Sequence, residues 1–315
     1  MEYNPSALFR HHHFSTIFPS LFRKVKGVSY QRERIETPDD DFIDLDWSNY
    51  SNQRLVVICH GLEGSSDSPY VRGMAKIFNN NNWDAVAYNY RACSGEMNRH
   101  LKAYHAGATY DLHTVLEHII KTKNYTEIVL VGFSLGGNLI LKYLGEAPEK
   151  VPNLVKKAVA ISAPVDLKSC AESISSPANF IYNDRFIRKL RKKSTAKKQQ
   201  IVDAGMNYEV LMKTKSLKEF DNQFTAPANG FKDALDYWTK NSSRQFLENI
   251  QKPTLLLNAL NDPFLAPPCF PYEEAKANPN FELLTPKYGG HVGFAQFNKD
   301  GSYWDEEVAL HFCSK

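Results

Sequence analysis

Hydrophobic and polar positions change their spacing twice along the chain. Val28–Ile35 and Phe42–Trp47 alternate apolar with polar side chains, the period of half-exposed antiparallel strands. Thr37-Pro38-Asp39-Asp40 between them is a turn signal, so the pair reads as a hairpin. From Leu55 onward the alternation gives way to continuous apolar runs: Leu55–Cys59, Trp83–Tyr88, Ile128–Val131, Val155–Ile161 and Thr254–Asn258, with Phe281–Leu284 as a last short one. Runs of that kind fit strands buried on both faces of a parallel sheet. Helical spacing falls between them at Tyr70–Phe78, at Ala106–Ile120, directly after Ser134, and finally at Tyr303–Phe312. Strands alternating with helices predict an α/β fold with a doubly covered, mostly parallel sheet.

Residues 165–230 break this rhythm. Strand signal is weak there, and a basic run collects Arg185, Arg188, Lys189, Arg191, Lys192, Lys193, Lys197 and Lys198. The expected organisation is an N-terminal arm (1–26), a first half of the core (27–164), a helical cap insertion over the carboxyl edge of the sheet (165–230), and a second half of the core (231–315). The basic run has two readings: a solvated helix face, or attraction to anionic lipid or a phosphate-bearing substrate. The arm mixes aromatic with basic residues, from Phe9 through the three histidines His11, His12 and His13 to Phe22, and reads as a helix packed on the domain or a lid.

One stretch concentrates the chemistry. In Ile128–Leu141, Gly132-Phe133-Ser134-Leu135-Gly136 is a G-x-S-x-G turn between an apolar β run and a helical pattern. A serine on such a strand-to-helix turn projects its hydroxyl out of the sheet, and close approach of strand and helix requires small flanking residues. A serine hydroxyl needs a base to accept its proton, and that base needs an orienting acid. The hydrolase order is Ser, acid, His. Asp262 follows a buried strand at the same sheet edge, and His291 follows the last strand in a glycine-flanked loop. Asp166 is the alternative acid. His100, His105, His113, His118 and His311 lie before or within helices, and His60 sits on the loop expected to form the oxyanion hole. The backbone N–H groups of Leu62 and Leu135 are the expected oxyanion donors. Glu63, a carboxylate beside a site for a developing anion, has no partner in the sequence.

Composition narrows the class without changing it. Hydrophobic content of 43% and charged content of 23% are those of a globular protein, and a net charge of +3 gives no argument for nucleic acid. The five cysteines, Cys59, Cys93, Cys170, Cys269 and Cys313, form no C-x-x-C pair, so no metal site is expected and free thiols in a reducing compartment are. No leader-like or membrane-spanning apolar run is found, which makes a cytoplasmic location the expectation, with the basic cap as the candidate for peripheral membrane contact. No cofactor is implied.

Several motifs resemble the YheT-like family of α/β-hydrolases: His60-Gly61-Leu62-Glu63-Gly64-Ser65-Ser66, Ser68-Pro69-Tyr70-Val71-Arg72-Gly73, Asn89 to Glu96, Tyr104-His105-Ala106-Gly107, the Ser134 turn, Asp221 to Asp233, Asn261-Asp262-Pro263-Phe264, and Gly289-Gly290-His291-Val292-Gly293-Phe294. The resemblance covers nearly the whole chain. It implies an α/β-hydrolase fold with an eight-stranded, mostly parallel sheet and a helical cap, a Ser134–Asp262–His291 triad, and esterase or lipase activity on a small-molecule ester or lipid. Ala92-Cys93-Ser94 departs from the family's usual Gly-Cys-Gly, and His12 replaces its usual Gly. Thioester, amide or acyl-transfer chemistry on the same residues, and a non-catalytic ligand-binding role, are the alternatives.

Overall fold

The computed structural model describes residues 2–49 and 51–315. Eight strands form one sheet: β1 Gln31–Glu36, β2 Phe42–Ser48, β3 Arg54–Cys59, β4 Asp84–Asn89, β5 Glu127–Phe133, β6 Val155–Ile161, β7 Thr254–Leu257 and β8 Phe281–Leu284. Their order is β1-β2-β4-β3-β5-β6-β7-β8. Only β2 runs antiparallel to its neighbours; from β4 to β8 every pairing is parallel. The hairpin, the central runs and the last short strand therefore stand where the periodicity places them, but β2 is buried along its whole length rather than half-exposed, since Arg32 and Arg34 of β1 cover Asp46 and Asp44.

The reason the central runs are continuously apolar is visible in β3. Leu55, Val57 and Cys59 point to one face of the sheet, into a core with Leu112, Val115 and Ile140. Val56 and Ile58 point to the other, against Val71, Met74, Phe78, Trp304 and Val308. The first face is covered by α3 (Thr109–Thr122) and α4 (Leu135–Glu146), the second by α2 (Pro69–Asn79) and the closing helix Trp304–Ser314. From Leu55 to Cys59 neither face reaches water, so those positions are all apolar, and the one polar residue, Arg54, stands at the strand's partly exposed start.

Two boundaries differ from the periodicity for identifiable reasons. The third helix starts at Thr109, not Ala106, because the Ala106 backbone is already engaged: its N–H donates to the Tyr237 hydroxyl (2.9 Å) and its carbonyl accepts from Asn138 Nδ2 (2.9 Å). Strand β1 starts at Gln31, not Val28, because the Val28 carbonyl accepts from Arg72 Nη2 (2.6 Å).

Between β6 and β7 the chain is helical, including α5 (Leu167–Ile174) and the long α6 (Phe180–Ala196), and helical structure continues to Asn249. The N-terminal arm contains α1 (His12–Phe22). Phe9, Phe14 and Phe18 of the arm form a small cluster with Ala295 and Tyr303. Arg23 clamps the arm down through a bidentate pair with Glu306 of the closing helix (2.6 and 2.9 Å). None of the described helices is long and apolar enough to cross a membrane. All five cysteines are free and buried.

A buried ionic cluster ties the hairpin to the core. Arg91 lies at the carboxyl end of β4, with its side chain 1% exposed. It grips Asp111 of α3 bidentately (2.7 and 2.6 Å) and Asp39 of the hairpin turn (2.8 and 2.9 Å), and reaches Asp41 at 3.3 Å. Removing one partner from a buried pair leaves a charge without compensation. Arg91→Met is expected to destabilise the fold by about 3–5 kcal/mol, lowering the midpoint of thermal unfolding by roughly 5–8 °C. Calorimetry on the variant checks this; an unchanged midpoint would show that the cluster contributes nothing net.

Candidate active site

The Ser134 turn is built by exclusion of side chains. Ser134 adopts φ 53° and ψ −120°, a strained backbone for a residue with a Cβ, and stands directly before α4. A Cβ at Gly132 would lie 2.6 Å from the Gly136 carbonyl carbon, and one at Gly136 would lie 2.6 Å from the His60 carbonyl oxygen. Both glycines are thus required by close approach of backbone to backbone. The turn is held by the Ser134 N–H, which donates to the Ile161 carbonyl (2.8 Å). Asn138, fully buried one turn into α4, fixes the helix by donating to Ala106 and Asn241 carbonyls and accepting from the Ser243 N–H.

The three residues selected from chain order lie in one hydrogen-bonded chain. His291 Nε2 is 2.9 Å from Ser134 Oγ, and His291 Nδ1 is 2.8 Å from Asp262 Oδ2. Asp262 Oδ1 accepts from the Phe264 N–H (2.9 Å), and its carboxylate is shut away from solvent. A carboxylate only accepts, so Nδ1 carries the imidazole proton and Nε2 is left as the acceptor for the serine hydroxyl. The loop holding the imidazole is itself pinned: Gly290 N–H donates to Asn261 Oδ1, Val292 N–H to Ser162 Oγ, and His291 N–H to Thr16 Oγ1 of α1 (2.9 Å). A Cβ at Gly290, where φ is 56°, would meet that same Thr16 oxygen at 2.7 Å.

The alternative candidates are occupied elsewhere. Asp166 caps α5, accepting from the Ser169 N–H (2.8 Å). His60 is fully buried, and burial pushes its pKa down to about 3. Its Nδ1 lies 2.8 Å from the Gly61 carbonyl and its Nε2 takes the Tyr90 N–H, so it is a neutral structural imidazole.

Among the described residues, the N–H groups of Leu62 and Leu135 have no protein acceptor, and both residues line the cavity at Ser134. The neighbouring Gly61 N–H is spent on the Tyr70 hydroxyl (3.0 Å). Glu63, beside Leu62, has φ 55° and a side chain 3% exposed. The Tyr104 hydroxyl accepts from the Glu63 N–H (2.9 Å) and donates to its carboxylate (2.7 Å). Lys193 of α6 completes the arrangement, 2.9 Å from the same oxygen. The basic run is therefore not one solvated face: Lys193 turns inward, and so does Lys197, which donates to Asn98 Oδ1 (2.6 Å).

Two cavities meet at Ser134, sharing Leu62, Glu63, Phe186 and Phe264. The inner one, about 130 Å³, runs under the helices and is walled chiefly by apolar side chains such as Ile174, Leu190, Leu217, Phe220 and Phe224. The outer one, about 200 Å³, passes His291 between α1 and α6 and carries Thr16, Ser20, Arg185 and Lys189.

Comparison with known proteins bears on this geometry. Residues 54–296 match the family described as the alpha/beta hydrolase fold. The chain belongs to the α/β-hydrolase family. Within it, the Escherichia coli K12 protein named "Putative esterase YheT" is 35% identical over 300 residues, spanning 93% of this chain and 87% of that protein. Human phospholipase ABHD3 is 30% identical over 289 residues, spanning 88% and 70%. The Pyrococcus furiosus esterase PF2001 structure superposes with a TM-score of 0.62 at 16% identity over 91% of each chain, a likeness of fold alone.

Sequence reasoning did not find four residues that shape the site of this α/β-hydrolase: Thr16, Tyr70, Tyr104 and Lys193. Tyr70 and Tyr104 lay inside motifs carrying the family resemblance, which was a usable signal. Thr16 lay in a segment, residues 13–23, that also resembles the family, but its reach to the site, like that of Lys193, depends on the docking of α1 and α6, which spacing does not encode. The family's glycine where Ala92 stands has a structural counterpart as well, since Ala92 has φ 62° and a left-handed backbone favours glycine.

Proposed function

We propose that this α/β-hydrolase is a serine carboxylic-ester hydrolase of carboxylesterase or lipase type, working through an acyl-enzyme. The observation carrying the proposal is the Ser134–His291–Asp262 hydrogen-bonded chain at the junction of two cavities, the inner one chiefly apolar and the outer one bearing Arg185 and Lys189 among apolar side chains. The names of the relatives, an esterase and a phospholipase, support the same class of bond.

In this reading the acyl chain occupies the inner cavity and the alcohol portion the outer one. Ser134 Oγ attacks the carbonyl carbon as its proton passes to His291 Nε2. Asp262 holds the imidazole in the accepting tautomer and stabilises the imidazolium. The carbonyl oxygen becomes an oxyanion facing the N–H groups of Leu62 and Leu135, at the positive end of α4. The imidazolium then protonates the departing alkoxide. Water, deprotonated by His291, attacks the acyl-enzyme, and collapse of the second tetrahedral intermediate returns Ser134 and releases the carboxylic acid.

The test is a series of p-nitrophenyl esters from acetate to palmitate. Each methylene buried in the inner cavity contributes about 0.8 kcal/mol, so kcat/KM should rise about fourfold per added carbon until the cavity is filled. Absence of turnover on every ester in the series would overturn the assignment.

A further inference from the structure

A carboxylate next to an oxyanion hole opposes the reaction that the hole exists to promote, and Glu63 is such a carboxylate. It follows Leu62 directly, its side chain is nearly inaccessible, and it lines both cavities at Ser134. Tyr104, Lys189 and Lys193 offset it. The Tyr104 hydroxyl bridges its carboxylate and its own N–H, holding residue 63 in a left-handed conformation. The cations both come from α6: Lys193 Nζ on the carboxylate at 2.9 Å, and Lys189 Nζ on the Glu63 carbonyl at 3.2 Å. Lys193 Nζ also lies 3.0 Å from Cys93 Sγ, but burial pushes that thiol up to about 11, so the cysteine is neutral and the lysine's ionic partner is Glu63.

We propose that Lys193 is a positioning residue that couples the seating of α6 to the competence of the oxyanion loop. With α6 in place, Lys193 neutralises Glu63 and draws its carboxylate away from the Leu62 N–H. When α6 lifts, the carboxylate beside Leu62 loses its ammonium partner. It then repels the tetrahedral oxyanion and competes for the loop's donors. Acyl transfer is thereby favoured in the arrangement the structure shows, with α6 seated on the oxyanion loop through Lys189 and Lys193. The inference rests on the ester-hydrolase reading of Ser134 and adds to it a residue outside the hydrogen-bonded chain.

The experiment compares wild type with Lys193→Met, Lys193→Arg, Glu63→Gln and the double variant Lys193→Met/Glu63→Gln. Two readouts are taken: steady-state hydrolysis of p-nitrophenyl butyrate, and the rate of Ser134 labelling by a fluorophosphonate, whose phosphonylation passes through the same oxyanion geometry. Lys193→Met should lower kcat by about 100-fold, the size of a lost oxyanion donor, while KM moves by less than about threefold. Lys193→Arg keeps the cation and should stay within about tenfold of wild type. The double variant removes the anion along with its partner, and should recover most of the loss, to within about tenfold of Glu63→Gln alone. Far-ultraviolet circular dichroism and thermal melts on all variants separate misfolding from the effect sought. A Lys193→Met protein that folds and labels at the wild-type rate would overturn the coupling while leaving the ester-hydrolase reading intact. So would a double variant no better than Lys193→Met. Wild-type protein that neither turns over nor labels would overturn the ester-hydrolase reading and the coupling with it.

Discussion

Ser134→Ala is expected to fold with wild-type stability and to hydrolyse p-nitrophenyl esters about 10⁵–10⁶-fold more slowly in kcat, a loss of roughly 7–8 kcal/mol of transition-state stabilisation. The change removes a single oxygen. That oxygen accepts nothing essential to the fold: the turn is held by backbone, through Ser134 N–H to Ile161 and the Gly137 and Asn138 N–H groups to the Ser134 carbonyl. Alanine keeps the Cβ, and with it the strained φ of 53°, so the turn itself is unchanged in strain. What disappears is the atom 2.9 Å from His291 Nε2 that the proposed mechanism assigns to the acyl bond. KM should change little, because both cavities are intact. Covalent labelling by fluorophosphonate should vanish altogether. Ester turnover within tenfold of wild type would mean that some other group carries the reaction.

The second large effect concerns Asp262. Its two oxygens do different jobs at once: Oδ2 accepts from His291 Nδ1–H and Oδ1 from the Phe264 N–H. Asparagine offers one acceptor and one donor, and either orientation fails. If the amide oxygen turns to Phe264, the NH₂ faces Nδ1 and forces the imidazole proton to Nε2, where it points at the serine hydroxyl and cannot accept from it. If the oxygen turns to His291, two N–H groups confront each other in a site closed to water. Asp262→Asn should therefore lower kcat by about 10⁴ with KM nearly constant, as expected for loss of the correct tautomer. Steady-state kinetics across a range of pH checks this. Retention of activity within tenfold would displace Asp262 as the orienting acid and return attention to Asp166.

Much of the architecture was legible because the sheet is buried on both faces. A strand such as β3, which serves two cores, is continuously apolar from Leu55 to Cys59 and so announces itself in any reading of the chain, whereas β2 announces itself by the alternation of Ile43, Leu45 and Trp47 with Asp44 and Asp46. Helix starts were less legible: nothing in the spacing near Ala106 signals that a tyrosine and an asparagine far away in sequence take up its backbone groups. At the site, chain order and sheet topology together selected the residues that the structure brings within hydrogen-bonding distance, because in a parallel sheet the loops after the strands converge on one edge. Their catalytic roles rest on the proposal. Lys193 was illegible for a different reason. Eight basic residues in fourteen positions look like a solvated face, and only the tertiary contacts of Lys193 with Glu63 and of Lys197 with Asn98 show which of them turn inward.

The seat of His291 has a consequence for biosynthesis. Its backbone N–H is received by Thr16, 275 residues earlier in the chain. At ribosomal rates of about 5–20 residues per second, roughly 15–55 s separate the emergence of the two. Ser134 precedes His291 by 157 residues, so for roughly 8–31 s of that interval the nascent chain carries the serine without the imidazole the proposed mechanism needs, and α1 has no loop to close against. In the proposed mechanism, a chain that stops short of His291 carries the serine without its base and should show no ester hydrolysis.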